Sequence, residues 1–262
     1  MLEPIVLKLG GAIFENETAL ANLCQALASV QERPLVLVHG GGVIVESLLA
    51  HLGLVSEKIE GLRVTPHTQI DYVTGALAGT ANKKLTAAIL RQGRAAVGLC
   101  LGDGGLCRVT ELDAKFGAVG QCDSGDPELL STLLEQHYLP VISSIGIGDD
   151  GQLYNVNADQ AAVAIGKMLQ GPLVLLSDVP GVLDENGQLI ESLDQSQAEQ
   201  LMASGTIHGG MAVKVKAALD ASEAMQQVVI LAGWKDADAL AKLLMGESVG
   251  TTVNATNTIE KY

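Results

Sequence analysis

Hydrophobic positions along this chain fall into short runs punctuated by glycine, and their spacing predicts alternating strands and helices. Residues 35–38 are wholly apolar and rich in β-branched side chains, with Pro34 before them and Gly40, Gly41 and Gly42 after them. A run of that length and composition reads as a strand buried on both faces, as in parallel sheets. Residues 5–9 form a second such run, interrupted by Lys8 and followed by Gly10 and Gly11. Between the two, residues 15–30 place Leu20, Leu23, Cys24, Leu27 and Val30 on one helical face, and residues 43–52 return to helical spacing. This β-α-β-α order predicts an α/β fold with a parallel sheet and helices on both of its faces.

The pattern continues with less regularity. Residues 60–66 read as a loop or short strand, closed by Pro66 at a helix start. Residues 67–92 form one long helical pattern in which Gly75, Ala76, Ala78, Gly79 and Ala81 cluster. A mid-helix glycine costs up to about 1 kcal/mol. Gly75 and Gly79 share a face, which predicts close packing, including packing between subunits. Residues 95–100 are a further buried strand. Residues 106–112 and 117–122 read as a small antiparallel excursion that lids a site. Asp126 caps a helix running from Pro127 to about residue 138, residues 139–147 return to the sheet, and 148–152 make a hairpin-like turn.

Asn155, Asn157 and Asp159 alternate where a strand gives way to a helix over 158–169, which is more polarity than one cap requires. Gly171 and Pro172 mark the candidate boundary between two lobes. Beyond it come a strand over 173–176, a turn over 184–188 and a helix over 196–203. Gly209 and Gly210 lead into a helix over 211–225 that carries Lys214 and Lys216 in its first two turns. Cations there oppose the helix dipole, an anomaly that Lys214 resolves if it reaches a bound anion. A strand over 228–232, a helix over 237–245 and a last strand over 250–253 complete the pattern, and the tail to residue 262 reads as polar fraying.

Composition narrows what such a fold can do. At 262 residues the chain suffices for one α/β domain or two packed lobes. Its apolar runs are far shorter than a membrane span, and its first residues show no secretory signal. Cys24, Cys100, Cys107 and Cys122 have no CxxC spacing, which predicts reduced thiols in a cytoplasmic protein instead of disulfides or zinc. A net charge of −14 without any basic stripe excludes nucleic-acid binding. It also means that an anionic ligand needs locally placed cations, drawn from only 16 lysines and arginines.

Familiar phosphate and metal fingerprints are missing: there is no GxxxxGK[ST], no GxGxxG with a downstream acid, no HExxH and no GxSxG. What remains is glycine pairs at three strand–helix junctions together with Lys8, Arg63, Lys214 and Asp159. Two lysines, backbone amides and no obvious base fit phosphoryl transfer to an acceptor that is already an anion. A carboxylate acceptor is ionised at neutral pH, so catalysis reduces to positioning two anions in line and offsetting charge.

The motifs Lys8-Leu9-Gly10-Gly11, His39-Gly40-Gly41-Gly42, Gly61-Leu62-Arg63-Val64-Thr65, Gly75-Ala76-Leu77-Ala78-Gly79, Asn155-Val156-Asn157-Ala158-Asp159 and Gly209-Gly210-Met211-Ala212-Val213-Lys214 occur in that order. Together they resemble the amino-acid kinase family over residues 5–253. The third and fifth motifs resemble in particular its branch that phosphorylates N-acetyl-L-glutamate in bacterial arginine biosynthesis.

The resemblance implies a three-layer αβα sandwich around a mainly parallel central sheet. It implies an N-terminal lobe, 1–170, for acetylglutamate binding and dimerisation, and a C-terminal lobe, 171–262, for ATP. By the same resemblance Lys8 and Lys214 flank the transferring phosphoryl group, and Asp159 holds both ammonium groups. The amides of Gly41 and Gly42 receive the γ-carboxylate, Arg63 pairs with the α-carboxylate, and Asn155 bonds the acetylated end. Gly10, Gly11, Asp178, Val179, Pro180, Gly181, Val182, Leu183, Thr206, Ile207 and His208 lie along the nucleotide. Mg2+ arrives on the ATP phosphates without a protein metal cage. The implied enzyme is cytoplasmic and homodimeric through the 66–92 helix. Arginine-inhibited members of the family carry an extra helix before the first strand; only residues 1–4 precede it here, which implies arginine insensitivity. Two other readings stand beside this one: a related kinase of glutamate or aminoadipate, and a non-catalytic sensor on the same fold. Both lysines and Asp159 argue against the sensor.

Overall fold

The structure, a computed structural model, describes residues 3–59 and 61–255. Strands β1 (Ile5–Leu9) and β2 (Leu35–His39) pair in parallel at the middle of the main sheet. A short hairpin, β3 (Glu57–Ile59) and β4 (Leu62–Val64), stands apart from it. Strand β5 (Ala96–Cys100) is an edge of the main sheet, while β6 (Cys107–Glu111) and β7 (Val119–Ser124) leave it as an antiparallel pair. Strand β8 (Leu139–Ser143) returns to the main sheet, and β9 (Ile145–Ile147) and β10 (Leu153–Val156) join the second sheet. Strands β11 (Leu173–Ser177), β12 (Ser192–Asp194), β13 (Val229–Gly233) and β14 (Thr251–Asn254) complete the main sheet.

The eight strands of that sheet lie in the order β12-β14-β13-β11-β1-β2-β8-β5. Pairing is parallel throughout except between β13 and β14. Alternation within β1 and β2 explains the layers. Leu7, Leu9, Leu35 and Leu37 face a core shared with α1 (Glu17–Ser29), and Val6, Val36 and Val38 face the opposite core. Helix α2 (Gly42–His51) follows β2 directly. Helices α3 (Ile70–Thr74) and α4 (Asn82–Arg91) come next, and Leu85 and Ile89 of α4 pack on the α1 side. Helices α5 (Glu128–Glu135), α6 (Ala158–Leu169), α7 (Gln195–Ala203) and α8 (Gly209–Met225) contribute to the core on the other side, and α9 (Ala237–Leu244) returns to the first. The result is the expected three-layer α/β sandwich. Lys8 is the polar interruption within β1, in register with Val38 on one side and Leu175 on the other.

Several elements differ from the sequence expectation. The 67–92 pattern is a composite: a 3-10 turn at His67–Gln69, then α3, a π-helix at Gly75–Ala81, and α4. Side-chain periodicity cannot distinguish a widened turn from a regular one, and π segments concentrate at functional sites. The side of the helix that Gly75 and Gly79 share is open, since a methyl group on either would meet no atom of the described residues within 4 Å. Residues 139–147 serve two sheets, because the chain leaves the main sheet after Ser143 and joins the second at Ile145. The antiparallel excursion is part of a four-stranded sheet ordered β6-β7-β10-β9. Helix α5 stops at Glu135, with His137 in the left-handed region at φ 59°. Helix α8 begins two residues earlier than expected, at Gly209.

The expected frayed tail at 256–262 lies outside the described residues, as does Glu60. No helix among the described residues is long and apolar enough to cross a membrane. Strand β11 pairs with β1, so the main sheet runs on across the Gly171 junction. Gly171 is required there, because a Cβ would stand 1.9 Å from the Pro4 carbonyl oxygen.

Candidate functional site

Two glycine loops meet where β1 and β2 end side by side. A Cβ on Gly11 would lie 3.3 Å from the Gly42 nitrogen, so the loops touch backbone to backbone. Gly42 opens α2, and the leading N–H groups of a helix have no intrahelical acceptors. Among the described residues the amides of Gly41 and Gly42 have no hydrogen-bond acceptor. Free amides at a helix N-terminus favour an anion. Gly41 is required for a second reason: a Cβ there would come within 2.9 Å of Leu77 and 3.2 Å of Ala81, both in the π-helix.

These amides border a cavity of about 200 Å3 whose wall includes Gly41, Gly42, Lys58, Arg63, Ser144 and Asn155. The sequence-predicted acceptor residues are therefore brought together. Arg63 reaches from β4 to the head of α2, where Nη2 donates to the Gly42 carbonyl at 3.1 Å and to Glu46 Oε1 at 3.0 Å. Its Nη1 donates to Ser56 Oγ. Lys58, from the other strand of the hairpin, lies 2.9 Å from the same Glu46 oxygen. Hydrogen bonding from Lys58 is the largest influence on the Glu46 carboxyl; desolvation opposes it, and with the charges of Lys58 and Arg63 and the Arg63 hydrogen bond the carboxyl is held below its usual range. Asn155 Nδ2 donates to Thr65 Oγ1 at 3.1 Å, which ties β10 to the residue after the hairpin. Lys58, Ser144 and Glu46 are site residues that sequence reasoning missed. None of the three stands beside a glycine or within a glycine-bearing motif, so no local signal marks them.

The polar cluster Asn155, Asn157 and Asp159 divides into three separate jobs. Asn157 is the N-cap of α6, with its side-chain oxygen accepting from the N–H groups of Asp159 and Gln160. Asp159 is thereby free to pair with Lys8, Nζ to Oδ1 at 2.7 Å. Asn157 and Ala158 line the cavity already described, while Asp159 and Gln160 line a second one of about 460 Å3 between α6 and α8. The first turn of α6 thus separates the two.

Lys214 departs from expectation. Its ammonium lies 3.3 Å from Asp178 Oδ1, so Asp159 holds Lys8 alone and does not gather both lysines. The hydrogen bond from Lys214 depresses the Asp178 carboxyl below its ordinary range, with backbone hydrogen bonding and the Lys214 and Lys235 charges adding to it. Within the nucleotide-side set, Asp178, Pro180, Leu183 and His208 are exposed, and Gly10, Gly11, Val179 and Thr206 are partly so. Gly181, Val182 and Ile207 face inward instead. Val182 is fully buried with its N–H donating to Thr251 Oγ1, and Ile207 packs in the core below α8. Val182, buried beside exposed Leu183, and Ile207, buried beside exposed His208, anchor their loops to the core.

Behind the Gly40–Gly42 loop lies a buried polar group that sequence reasoning quoted without giving it a role. His39 is fully buried. Its Nδ1 is 2.7 Å from the Gly40 carbonyl oxygen and its Nε2 is 3.1 Å from Asn82 Nδ2. Burial pushes the imidazole down to about 4, with a smaller contribution from the Lys83 charge, against a raising effect of the Gly40 hydrogen bond.

With this geometry in view, comparison with known proteins is informative. Residues 3–232 match the sequence model of the amino acid kinase family. The chain is 55% identical over 258 residues to an acetylglutamate kinase from Moritella profunda, covering 97% of this chain and 98% of that protein. It is likewise 55% identical over 254 residues to an acetylglutamate kinase from Aeromonas salmonicida (strain A449), covering 96% and 98%. Among solved structures it superposes on the carbamate kinase of Giardia with a TM-score of 0.67 at 15% identity, covering 97% of this chain and 99% of that one. That last likeness is one of fold.

Proposed function

The chain belongs to the amino acid kinase family, and from that premise we propose a phosphotransferase that uses ATP to phosphorylate the γ-carboxylate of N-acetyl-L-glutamate. The product is N-acetyl-L-glutamyl 5-phosphate, an acyl phosphate of arginine biosynthesis. The observation that carries this reading is the cavity in which free amides of Gly41 and Gly42 face a wall holding Arg63 and Asn155, beside the Lys8–Asp159 pair.

The chemistry follows from these groups. A γ-carboxylate oxygen attacks the γ-phosphorus of ATP, the bond from that phosphorus to the bridging oxygen breaks, and ADP leaves with the electron pair. The nucleophile is already ionised, so no base is needed. The Gly41 and Gly42 amides hold the attacking carboxylate, Arg63 takes the α-carboxylate through its planar fork, and Asn155 bonds the acetamido end. Lys8, held by Asp159, offsets charge on the equatorial oxygens of the transferring group. Lys214 is stored on Asp178 and turns to the phosphates when MgATP arrives. Mg2+ enters as part of that substrate.

The lobe before residue 171 takes the acetylated amino acid, and the lobe after it takes ATP along Asp178–Leu183 and Thr206–His208. Four free cysteines and a freely diffusing nucleotide substrate support a cytoplasmic enzyme. The open side of the π-helix, where a Cβ added at Gly75 or Gly79 would meet no atom of the described residues within 4 Å and Tyr72 and Leu90 are exposed, supports a homodimer through the 66–92 helix.

Hydroxylamine trapping tests the activity directly. MgATP with N-acetyl-L-glutamate should give a hydroxamate, and faster hydroxamate formation from free glutamate or aminoadipate would reject the assignment. Absence of turnover with all three, alongside measurable nucleotide binding, would favour a sensor.

A further inference from the structure

The Gly41 amide is useful to a carboxylate only if its N–H points into the cavity, and something must set that direction. Glycine loops do not set it themselves, because glycine populates many backbone conformations with similar ease. In a trans peptide the C=O and the following N–H point opposite ways. Whatever holds the Gly40 carbonyl therefore aims the Gly41 N–H. That carbonyl is 2.7 Å from Nδ1 of His39.

Hydrogen-bond bookkeeping assigns the tautomer. Asn82 Nδ2 lies 2.8 Å from the Val141 carbonyl and 3.2 Å from that of Leu99, while Lys83 Nζ donates to Asn82 Oδ1 at 3.1 Å. The amide nitrogen of Asn82 is thus the group facing His39, and it can only donate. The Gly40 carbonyl can only accept, so the ring proton sits on Nδ1; Nε2 is then the acceptor that faces the Asn82 amide nitrogen, whose two hydrogens are shared among His39, Val141 and Leu99. The ring cannot swing away: Phe14 packs on it edge-on with centroids 5.9 Å apart. His39 and Asn82 are both fully buried.

We propose that His39, locked by Asn82, is a positioning residue that turns the Gly40–Gly41 peptide so that the Gly41 N–H addresses the γ-carboxylate and the developing acyl phosphate. The inference rests on the acceptor reading of the Gly41–Gly42 loop. It links the substrate cradle to the first residue of α4, immediately after the π-helix, through contacts that do not touch substrate. Burial keeps the ring neutral at physiological pH, so the proton on Nδ1 is not shared with a second donor form.

Side-chain geometry supplies a discriminating test. The amide nitrogen of asparagine overlays imidazole Nδ1, whereas that of glutamine overlays Nε2. His39→Leu and His39→Gln should lower kcat/KM for N-acetyl-L-glutamate by about tenfold to a hundredfold with the KM for ATP unchanged, and His39→Asn should recover most of that loss. Equal losses in the asparagine and glutamine variants, or parallel changes in the KM for ATP, would overturn the proposal in favour of a scaffold role. Two measurements on the wild-type protein do not depend on the variants folding. Nitrogen chemical shifts of the His39 ring should report the Nδ1–H tautomer at pH 7, and an Nε2–H form would overturn the proposal. Titration with N-acetyl-L-glutamate should move the Gly41 and Gly42 amide resonances. If they stay still, the acceptor reading itself fails; if they move while the glutamine variant behaves as wild type, only the role of His39 fails.

Discussion

Lys8 Nζ and Asp159 Oδ1 are 2.7 Å apart, joining the central strand to the first turn of α6 across residues remote in sequence. Half of the Asp159 side chain is exposed, and ion pairs of that kind contribute only about 0–1 kcal/mol to stability. Magnitude therefore separates the two possible roles. Asp159→Asn should leave the melting temperature almost unchanged while kcat falls by about a hundredfold, the range seen when one electrostatic stabiliser is lost. Lys8→Arg should cut turnover far more than ATP affinity, measured by nucleotide titration. Equal losses in both would indicate a binding role.

Arg63 offers a separate readout. Its fork bridges the Gly42 carbonyl, Glu46 and Ser56. A lysine at that position keeps the charge but loses the planar pair of donors. Arg63→Lys should raise the KM for N-acetyl-L-glutamate roughly tenfold or more, in keeping with hydrogen bonds to charged groups worth about 1.5–3 kcal/mol. The KM for ATP should hold. Steady-state kinetics with each substrate varied in turn checks both halves.

Gly41→Ala tests the contact with the π-helix. The added methyl would stand 2.9 Å from a Leu77 methyl group and 3.2 Å from that of Ala81. Overpacking of this kind costs about 1–3 kcal/mol. Stability by urea denaturation and hydroxamate formation should fall together, because relieving the clash moves the amide that faces the substrate. Trimming Leu77 to alanine in the same chain should restore part of the activity.

Acid should destabilise the protein through His39. Its folded value of about 4 lies below the ordinary 6.5, so between these limits the unfolded chain binds more protons. Stability is then full above pH 6.5 and declines as pH falls towards 4. The change amounts to about 3 kcal/mol. Melting curves of wild type and His39→Asn, which cannot titrate there, should converge as pH is lowered through that window. Parallel curves would refute the assignment.

The homodimer predicts a solution mass of twice the chain, measured by light scattering. Gly79→Trp should shift that mass to the monomer, because a Cβ at Gly79 meets no atom of the described residues within 4 Å and an indole projecting from that open side would obstruct a partner. A monomeric wild type would refute the interface.

Most strands and helices were readable in advance because their signals are local. Residues 5–9 and 35–38 are strands because both pleat faces are apolar, and α6 starts at Asn157 because an asparagine side chain accepts from the N–H groups just ahead of it. Where one local pattern serves two structures, the sequence does not choose between them. Residues 139–147 are continuously strand-like, and nothing local says that Ser144 passes from one sheet to another. The π turn at Gly75–Ala81 keeps helical periodicity closely enough to read as plain helix.

By itself the sequence determined the alternation of elements, the family, and the set of chemically able residues, since each depends on neighbours a few positions apart. Only the tertiary structure decided which of those residues meet. It paired Lys8 with Asp159 but Lys214 with Asp178, assembled Glu46, Lys58 and Arg63 into one cluster, and set His39 against Asn82 behind the glycine loop. A charged or polar side chain can satisfy itself with any complementary group within about 3 Å. Which group that is depends on how distant elements pack, and no local sequence pattern encodes that distance.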